Sequence, residues 1–348
     1  FATEPGRGAP ASINFVSCHD GFTLTDLTRY RSKHNEANGE NNNDGSSVNH
    51  SANFGVEGVT DDPDVIAARE QAAMNMIGML LLSLGTPMML AGDEFRNTQD
   101  GNNNAYCQDN DITWLKWDWM YSTNKTREMR RLETVSRLVA LRKSLDLYHH
   151  EDFFTRLTQL GLLKPSSRVQ WFLPDGTTPM ERDWFDLGVR SFTMRLLSNS
   201  EVDVCIVVNG TADDRTFRLP PDTHWTPKWC SAEINGRRAG HGTQVEECDL
   251  NGDTTVWTQH VPDASETVLK MVKEVAMQRT ESSTENEADT IKFAMPVTDH
   301  AANGTSSAPR DEVSADMPDA PVDDTPDTPV DDNVWTMPAL SITLMKQV

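Results

Sequence analysis

The sequence predicts an α/β region followed by an antiparallel β domain, and three patterns support this fold class. The first half of the chain alternates short apolar runs with helical patterns, which is typical of parallel strands covered by helices. After about residue 150, short apolar runs are separated by Asn, Gly, Asp and Pro turns, which indicates antiparallel β structure. Residues 276–333 show no periodicity and are rich in acidic residues and proline, which predicts disorder. We therefore predict domains at 1–150 and 151–348, with a disordered acidic insertion at 276–333.

Two predicted strands in the first domain end in polar residues. Residues 13–18 (INFVSC) form a mostly apolar run, so we expect a strand that is buried on both faces. This strand ends at His19 and Asp20, and a glycine follows them. Residues 87–91 (PMMLA) form the second strand, which ends in a glycine and two carboxylates. Parallel α/β folds place their active sites at the carboxyl ends of strands, so both ends are candidate sites.

A polar loop and a helix connect these strands, and a further helix follows them. Residues 31–61 are rich in Asn, Gly and Ser, and a loop of that length is uncommon in a compact domain unless it is functional. We predict that a helix begins at Asp62, with a proline in its first turn, and ends before Gly85. A second helix is predicted over about 125–145. Its apolar side carries Leu132, Val135, Leu138, Val139 and Leu141.

The composition of the chain excludes some classes of binding partner and indicates where in the cell the protein is located. The chain has 348 residues with 31 basic and 53 acidic side chains, and its net charge is −22. Such a charge argues against nucleic acid or an anionic membrane surface as a partner. We find no apolar run of membrane-spanning length and no signal-like segment. The five cysteines are scattered without CxxC spacing, so we expect reduced thiols, a cytoplasmic location, and neither a metal site nor another cofactor.

Four motifs occur in a characteristic order: ASINFVSCHDGFTLTD, KHNEANGENNNDG, LLLSLGTPMMLAGDEF and GNNNAYCQDNDITWLKWD. Together they resemble the glycogen debranching and isoamylase branch of the α-amylase superfamily, glycoside hydrolase family 13. The resemblance runs from about residue 8 to 145 and continues more loosely through WFLPDG (171–176) and DWFD (183–186). It implies the last two strand–helix units of a (β/α)8 barrel, followed by a β-sandwich. By that resemblance, 13–18 is the seventh barrel strand and 87–91 is the eighth.

The resemblance also implies a role for the polar pair that ends the first strand. In the family, these residues contact the sugar whose glycosidic bond is cleaved, so Asp20 would stabilise the transition state and His19 would bind a sugar hydroxyl. Hydrogen bonds to ring hydroxyls that strengthen as positive charge develops lower the barrier of glycoside hydrolysis. The implied substrates are glycogen, amylopectin or limit-dextrin α-glucans, cleaved at α-1,6 branch linkages with retention.

The catalytic nucleophile and the general acid of the family are not found in this sequence. A retaining glycosidase needs two carboxylates about 5–5.5 Å apart, and the resemblance places both on earlier barrel strands, upstream of residue 1. Asp93 and Glu94 are adjacent on a strand end, so their side chains point in opposite directions and make a poor catalytic pair. We therefore expect the C-terminal part of a debranching enzyme that is inactive alone. The alternatives are a non-catalytic α-glucan-binding fragment and an inert truncated product with unpaired strand edges.

Further candidate site residues lie in the two polar loops. His34, Asn35 and Glu36 in the first loop, and Asn104 and Tyr106 in the second, are candidates for substrate binding because amides, carboxylates and aromatic rings suit sugar hydroxyls and ring faces. The alternative for these loops is a scaffold of self-bonded Asx turns.

Glu94 and three tryptophans complete the set of candidates. We predict that Glu94 is a structural residue of the barrel rim, which ties loops together, and not a substrate contact. Trp114, Trp117 and Trp119 form either a stacking platform for sugars or, as we favour, the packing of the last helix against the barrel.

Overall fold

A computed structural model describes the parts of the chain that carry the predicted site. The described residues are 8–148, 169–197, 203–221, 224–241, 246–247, 333–338 and 341–347. The predicted disordered insertion lies outside the described residues except for Asn333, and so does Cys248.

Two parallel strands start at or near the predicted positions, but each is only two residues long, so the predicted lengths of 13–18 and 87–91 are wrong. β1 (Ile13–Asn14) and β2 (Thr86–Pro87) pair in parallel, which confirms the predicted direction of pairing. The expectation that 13–18 is buried on both faces is wrong, because the side chains of Ile13 and Phe15 are 61% and 53% exposed. Among the described residues β2 is the strand that pairs with β1, and no described strand pairs with the other edge of β1. A parallel strand is buried on both faces only inside a larger, helix-covered sheet.

Three helices accompany this parallel pair, and the two long ones match the prediction. The short helix α1 (Leu24–Leu27) follows β1. α2 (Pro63–Leu82) begins where predicted, because the Asp62 carboxylate accepts hydrogen bonds from two backbone amides of the first turn. α3 (Arg127–Ser144) is capped in the same way by Thr126.

The expectation that no apolar run reaches membrane-spanning length is wrong for α2, whose length and apolar composition would suffice to cross a membrane. Half of its most apolar stretch is nevertheless buried inside the protein. Two of its buried side chains, Arg69 and Glu70, are charged and bonded to other parts of the fold. We therefore interpret α2 as a core helix.

The second half of the chain forms antiparallel sheets, as predicted. The larger sheet has five strands in the order β3-β4-β5-β12-β7, and each neighbouring pair is antiparallel. Its strands are β3 (Val169–Phe172), β4 (Ser191–Leu196), β5 (Val204–Asn209), β7 (Trp225–Cys230) and β12 (Ser341–Gln347). Because β12 lies between β5 and β7, the chain after the acidic segment returns to the middle of this sheet, as the prediction of an insertion requires.

Two smaller antiparallel sheets complete the β region. One has three strands in the order β6-β11-β9, and the other pairs β8 with β10. Their strands are β6 (Arg215–Arg218), β8 (Arg237–Arg238), β9 (Gly240–His241), β10 (Glu246–Glu247) and β11 (Val334–Met337). The sequence patterns did not predict β3, β7, β8, β9, β10 or β11.

The five-stranded sheet is buried on both faces, and β5 shows how. Val204 and Ile206 pack into a core with apolar residues of α2 and α3. Cys205 and Val207, which alternate with them, pack into a second core with β6 and β11. The α/β region and the β region therefore share a core, and 8–148 belongs to the same compact unit as the described strands.

A glycine of α2 allows the closest approach between the helix and this sheet. A methyl group at Gly78 would lie 2.9 Å from the ring of Trp229, which is fully buried on β7 and donates to the backbone oxygen of Thr134 at 3.2 Å. We expect Gly78→Ala to lower the free energy of unfolding by about 1–3 kcal/mol in urea titrations, because overpacking outweighs the gain in helix propensity. The loss should be smaller in a Trp229→Phe background, and a stabilised Gly78→Ala variant would contradict this packing.

Candidate functional site

The loops that follow β1 and β2 are held together by a buried carboxylate. Asp93, after β2, accepts a short hydrogen bond from the hydroxyl of Ser17 and a 2.9 Å bond from the backbone amide of Leu24. The side chain of Asp93 is almost fully buried. Ser17 begins the loop that carries His19 and Asp20, and Leu24 is the first residue of α1 directly after it, so this loop is anchored at its two ends.

A second buried carboxylate, on the β1 side, binds the loop that follows β2. Asp26 lies in α1, whose first turn is capped by the hydroxyl of Thr23. The Asp26 carboxylate accepts hydrogen bonds from the hydroxyl of Thr98 and from the amide of Gln99 at 2.8 Å, both in the loop after β2. Burial raises the pKa of Asp26, and these hydrogen bonds oppose the rise. Each loop thus supplies one carboxylate that binds the other loop.

The sequence-predicted pair projects from this anchored loop into solvent. The side chains of His19 and Asp20 are 87% and 81% exposed, and His19 Nε2 lies 3.5 Å from Asp20 Oδ2. The next residue, Gly21, has a left-handed φ of +95°, and its amide donates to the backbone oxygen of Asn103 at 2.9 Å. An exposed pair at this distance contributes little to stability, so both groups are available to a ligand.

Asn35, a second predicted site residue, lies inside the structure. Its side chain is fully buried, and its amide donates to Asn103 Oδ1 at 2.9 Å and to the backbone oxygen of Asp44 at 3.0 Å. Its own Oδ1 accepts from the Asn103 amide at 3.0 Å. A side chain added at Gly45 would collide with these asparagines. The structure therefore favours the scaffold alternative for Asn35, which connects the first polar loop to the backbone that holds Gly21.

The remaining loop candidates differ in exposure. Asn104 donates to Asp44 Oδ2 at 2.9 Å, and it belongs to the same scaffold as Asn35. Glu36 and Tyr106 are exposed, so their side chains are open to a ligand. His34 is partly buried, with its ring against the edge of Tyr30 and its Nε2 3.2 Å from Glu57.

Glu57 closes the first polar loop and was not predicted from the sequence. Its carboxylate accepts from the backbone amides of Arg31 and Ser32 and from the side chain of Asn53. Burial by itself raises the pKa of Glu57, but these hydrogen bonds and the one with His34 outweigh burial and lower the pKa to about 2. The Glu57 carboxylate thus satisfies backbone amides of this loop that regular secondary structure would otherwise satisfy.

Glu94 and the tryptophans occupy structural positions. Glu94 is partly buried and accepts from the amide of Gly92 at 2.8 Å. The rings of Trp117 and Trp119 lie 4.8 Å and 5.3 Å from the ring of Phe95, which favours packing over a sugar platform. Trp114 is half exposed.

A buried ionic cluster supports the two loops from the helices. Glu70 of α2 lies 2.7 Å from Arg131 of α3 and 2.7 Å from Arg96. Arg131 also donates to the backbone oxygen of Asp93 at 3.4 Å. Burial raises the pKa of Glu70, but the two guanidinium groups outweigh it, so the pKa is lowered. Removing one partner of such a cluster leaves a buried charge uncompensated.

Thiols and potential metal ligands are dispersed in the described part of the chain. No group of three or more His, Cys, Asp or Glu side chains suited to a metal ion occurs there. The four cysteines within it are free thiols. Burial raises the pKa of Cys230 to about 12, so this thiol stays protonated at neutral pH.

Asp93 gives the site a measurable pH signature. Burial raises the pKa of Asp93 from 3.8 to about 6, against the opposing effects of its hydrogen bonds and of Arg131. The folded state therefore holds this proton more tightly than the unfolded chain, and the resulting stabilisation is lost as the pH rises towards 6. We expect the unfolding free energy of the wild type, relative to Asp93→Asn, to fall by about 2 kcal/mol between pH 4 and pH 7. Urea titrations of both proteins test this, and a flat or rising difference would contradict it.

Relatives of this chain share its sequence over about half to two thirds of its length. It is 44% identical over 193 residues to a glycogen operon protein GlgX homolog of Mycobacterium tuberculosis, which covers 54% of this chain and 26% of that protein. It is 38% identical over 242 residues to a glycogen debranching enzyme of Pectobacterium atrosepticum, which covers 69% of this chain and 34% of that enzyme. The chain thus spans about a quarter to a third of the length of these curated relatives.

Solved structures and family models add the following. A pullulanase from Anoxybacillus sp. LM18-11 in complex with maltotetraose is 17% identical with a TM-score of 0.41, over 69% of this chain and 26% of that one. The catalytic module of the glycogen-degrading pneumococcal virulence factor SpuA is 12% identical with a TM-score of 0.45, over 97% of this chain and 36% of that one. No protein-family model matches the chain.

The sequence matches to these relatives support the family resemblance. Identities of 38–44% over 193–242 residues are far above those of unrelated chains of this length. Over the matched part of its length, this chain is homologous to the bacterial glycogen debranching enzymes.

Proposed function

We propose that the loops after β1 and β2 form part of an α-glucan site in a debranching glycoside hydrolase. The observation that carries this proposal is the exposed His19–Asp20 pair, which projects from a loop anchored at both ends by Asp93. The substrate would be glycogen, amylopectin or a limit dextrin, and the reaction would be retaining hydrolysis of α-1,6 branch linkages. The relatives' names support this choice of substrate.

The two exposed side chains suit different tasks at a sugar. The Asp20 carboxylate would accept hydrogen bonds from two ring hydroxyls, and these bonds strengthen as the ring gains positive charge. The imidazole of His19 would donate to a hydroxyl of the same sugar. The two groups lie close together, with His19 Nε2 3.5 Å from Asp20 Oδ2, so a single sugar can contact both.

The catalytic carboxylates would come from polypeptide other than the described residues. A nucleophile and a general acid must both face the substrate, and Asp93 cannot pair with Asp20 in this way because its side chain is almost fully buried. We therefore propose that the chain is the C-terminal part of a larger enzyme, with the last two strand–helix units of a (β/α)8 barrel followed by a β-sandwich.

An open apolar surface beside β1 supports this proposal. Ile13 and Phe15 of the β1 segment, and Met79 of α2, are exposed around a groove of about 570 Å³. Apolar surface of this kind on a strand edge is normally covered. Preceding strand–helix units of a barrel would pair with the open edge and bury these side chains.

Affinity electrophoresis in gels that contain glycogen β-limit dextrin tests the site in the chain as it stands. We expect the wild type to be retarded, and Asp20→Asn to raise the apparent dissociation constant about tenfold, because charged hydrogen bonds to the sugar are lost. His19→Ala should have a similar effect. No reducing ends should be released in the same mixtures.

The matched control is Asp213→Asn, the same change at an exposed carboxylate in the turn between β5 and β6. This variant should migrate like the wild type. Equal mobility of the wild type with and without dextrin would refute the proposed site. Binding that Asp20→Asn leaves unchanged would place the glucan elsewhere on the chain.

A further inference from the structure

The loop that carries His19 and Asp20 is closed at both ends by one side chain. The hydroxyl of Ser17 donates to one oxygen of Asp93, and the amide of Leu24 donates to the other oxygen at 2.9 Å. Water does not compete for these bonds, because Asp93 is buried. The carboxylate thus fixes the two ends of an eight-residue loop relative to each other.

The two halves of the loop are held unequally. In the second half, the amide of Gly21 donates to Asn103 and the hydroxyl of Thr23 donates to the backbone oxygen of Asn97 at 3.0 Å. The first half runs from Ser17 to Asp20, and the bond from Ser17 to Asp93 connects it to the loop after β2. Asp93 therefore controls the segment that leads directly into His19.

We propose that Asp93 is a positioning residue for the α-glucan site, which sets the orientation in which His19 and Asp20 meet the sugar. This inference rests on the function proposed above. Asp93 does not itself touch the ligand, because its carboxylate is buried and both of its oxygens are used inside the protein. Its effect on binding is transmitted through the loop.

Two substitutions of Asp93 distinguish the loss of its hydrogen bonds to the loop from the loss of its negative charge. Asp93→Ala removes both acceptors. Asp93→Asn keeps the shape and both bonds, because its oxygen can accept from the Leu24 amide while its amide donates to the Ser17 hydroxyl. We expect Asp93→Ala to speed hydrogen exchange of the Leu24 amide and to weaken binding of glycogen β-limit dextrin, each by about tenfold. Asp93→Asn should retain most of the wild-type protection of the Leu24 amide and most of the wild-type affinity for dextrin.

The control is Asp203→Ala, which removes another largely buried carboxylate that is paired with Arg195 at the edge of β4 and β5. It should destabilise the protein but leave dextrin affinity and Leu24 exchange unchanged. An equal loss of affinity in Asp203→Ala would overturn the proposal, and so would unchanged Leu24 exchange in Asp93→Ala.

A second variant keeps the test decisive if Asp93→Ala does not fold. Ser17→Ala removes one of the two bonds and should weaken dextrin binding by about threefold. A Ser17→Ala variant with wild-type affinity would then count against the proposal. If the wild type does not bind dextrin, the proposed function fails, and the exchange rate of Leu24 alone decides whether Asp93 holds the loop.

Discussion

The site depends on two buried carboxylates, each of which accepts hydrogen bonds from the neighbouring loop. Asp93 binds the loop after β1, and Asp26 binds the loop after β2, so neither loop can move without breaking bonds in the other. The parallel strands before them are only two residues long, and such a pair cannot fix loop positions by backbone bonding alone. The side-chain carboxylates therefore fix the positions of the two loops, a role that a longer sheet has in other proteins.

The two long helices and a buried ionic cluster surround these carboxylate hydrogen bonds. α2 and α3 pack on the five-stranded sheet, and the cluster of Glu70 with Arg131 and Arg96 joins both helices to the loop after β2. Arg131 reaches the backbone of Asp93, so the ionic cluster and the site form a continuous network.

Local sequence signals predicted the parts of this structure that local chemistry determines. The start of α2 at Asp62, the presence of a second long helix and the parallel pairing of the two apolar runs all follow from neighbouring residues. Asn35 and Asp93 resemble other loop polar residues in sequence, and their burial arises from partners more than 60 residues away. β7 was missed because its pattern, WTPKWC, contains a proline that argues against a strand. The open face of β1 depends on which strands surround it, which no local pattern encodes.

The most direct test of this account compares two proteins from the same gene. One is the product of the whole open reading frame that encodes these residues, and the other is Phe1–Val348 alone. Reducing-end release from glycogen β-limit dextrin is the measurement. The account predicts that the whole product debranches, that Asp20→Asn lowers its kcat/KM by about a hundredfold or more, and that Phe1–Val348 releases no reducing ends. Debranching by Phe1–Val348, or a whole product that tolerates Asp20→Asn, would contradict it.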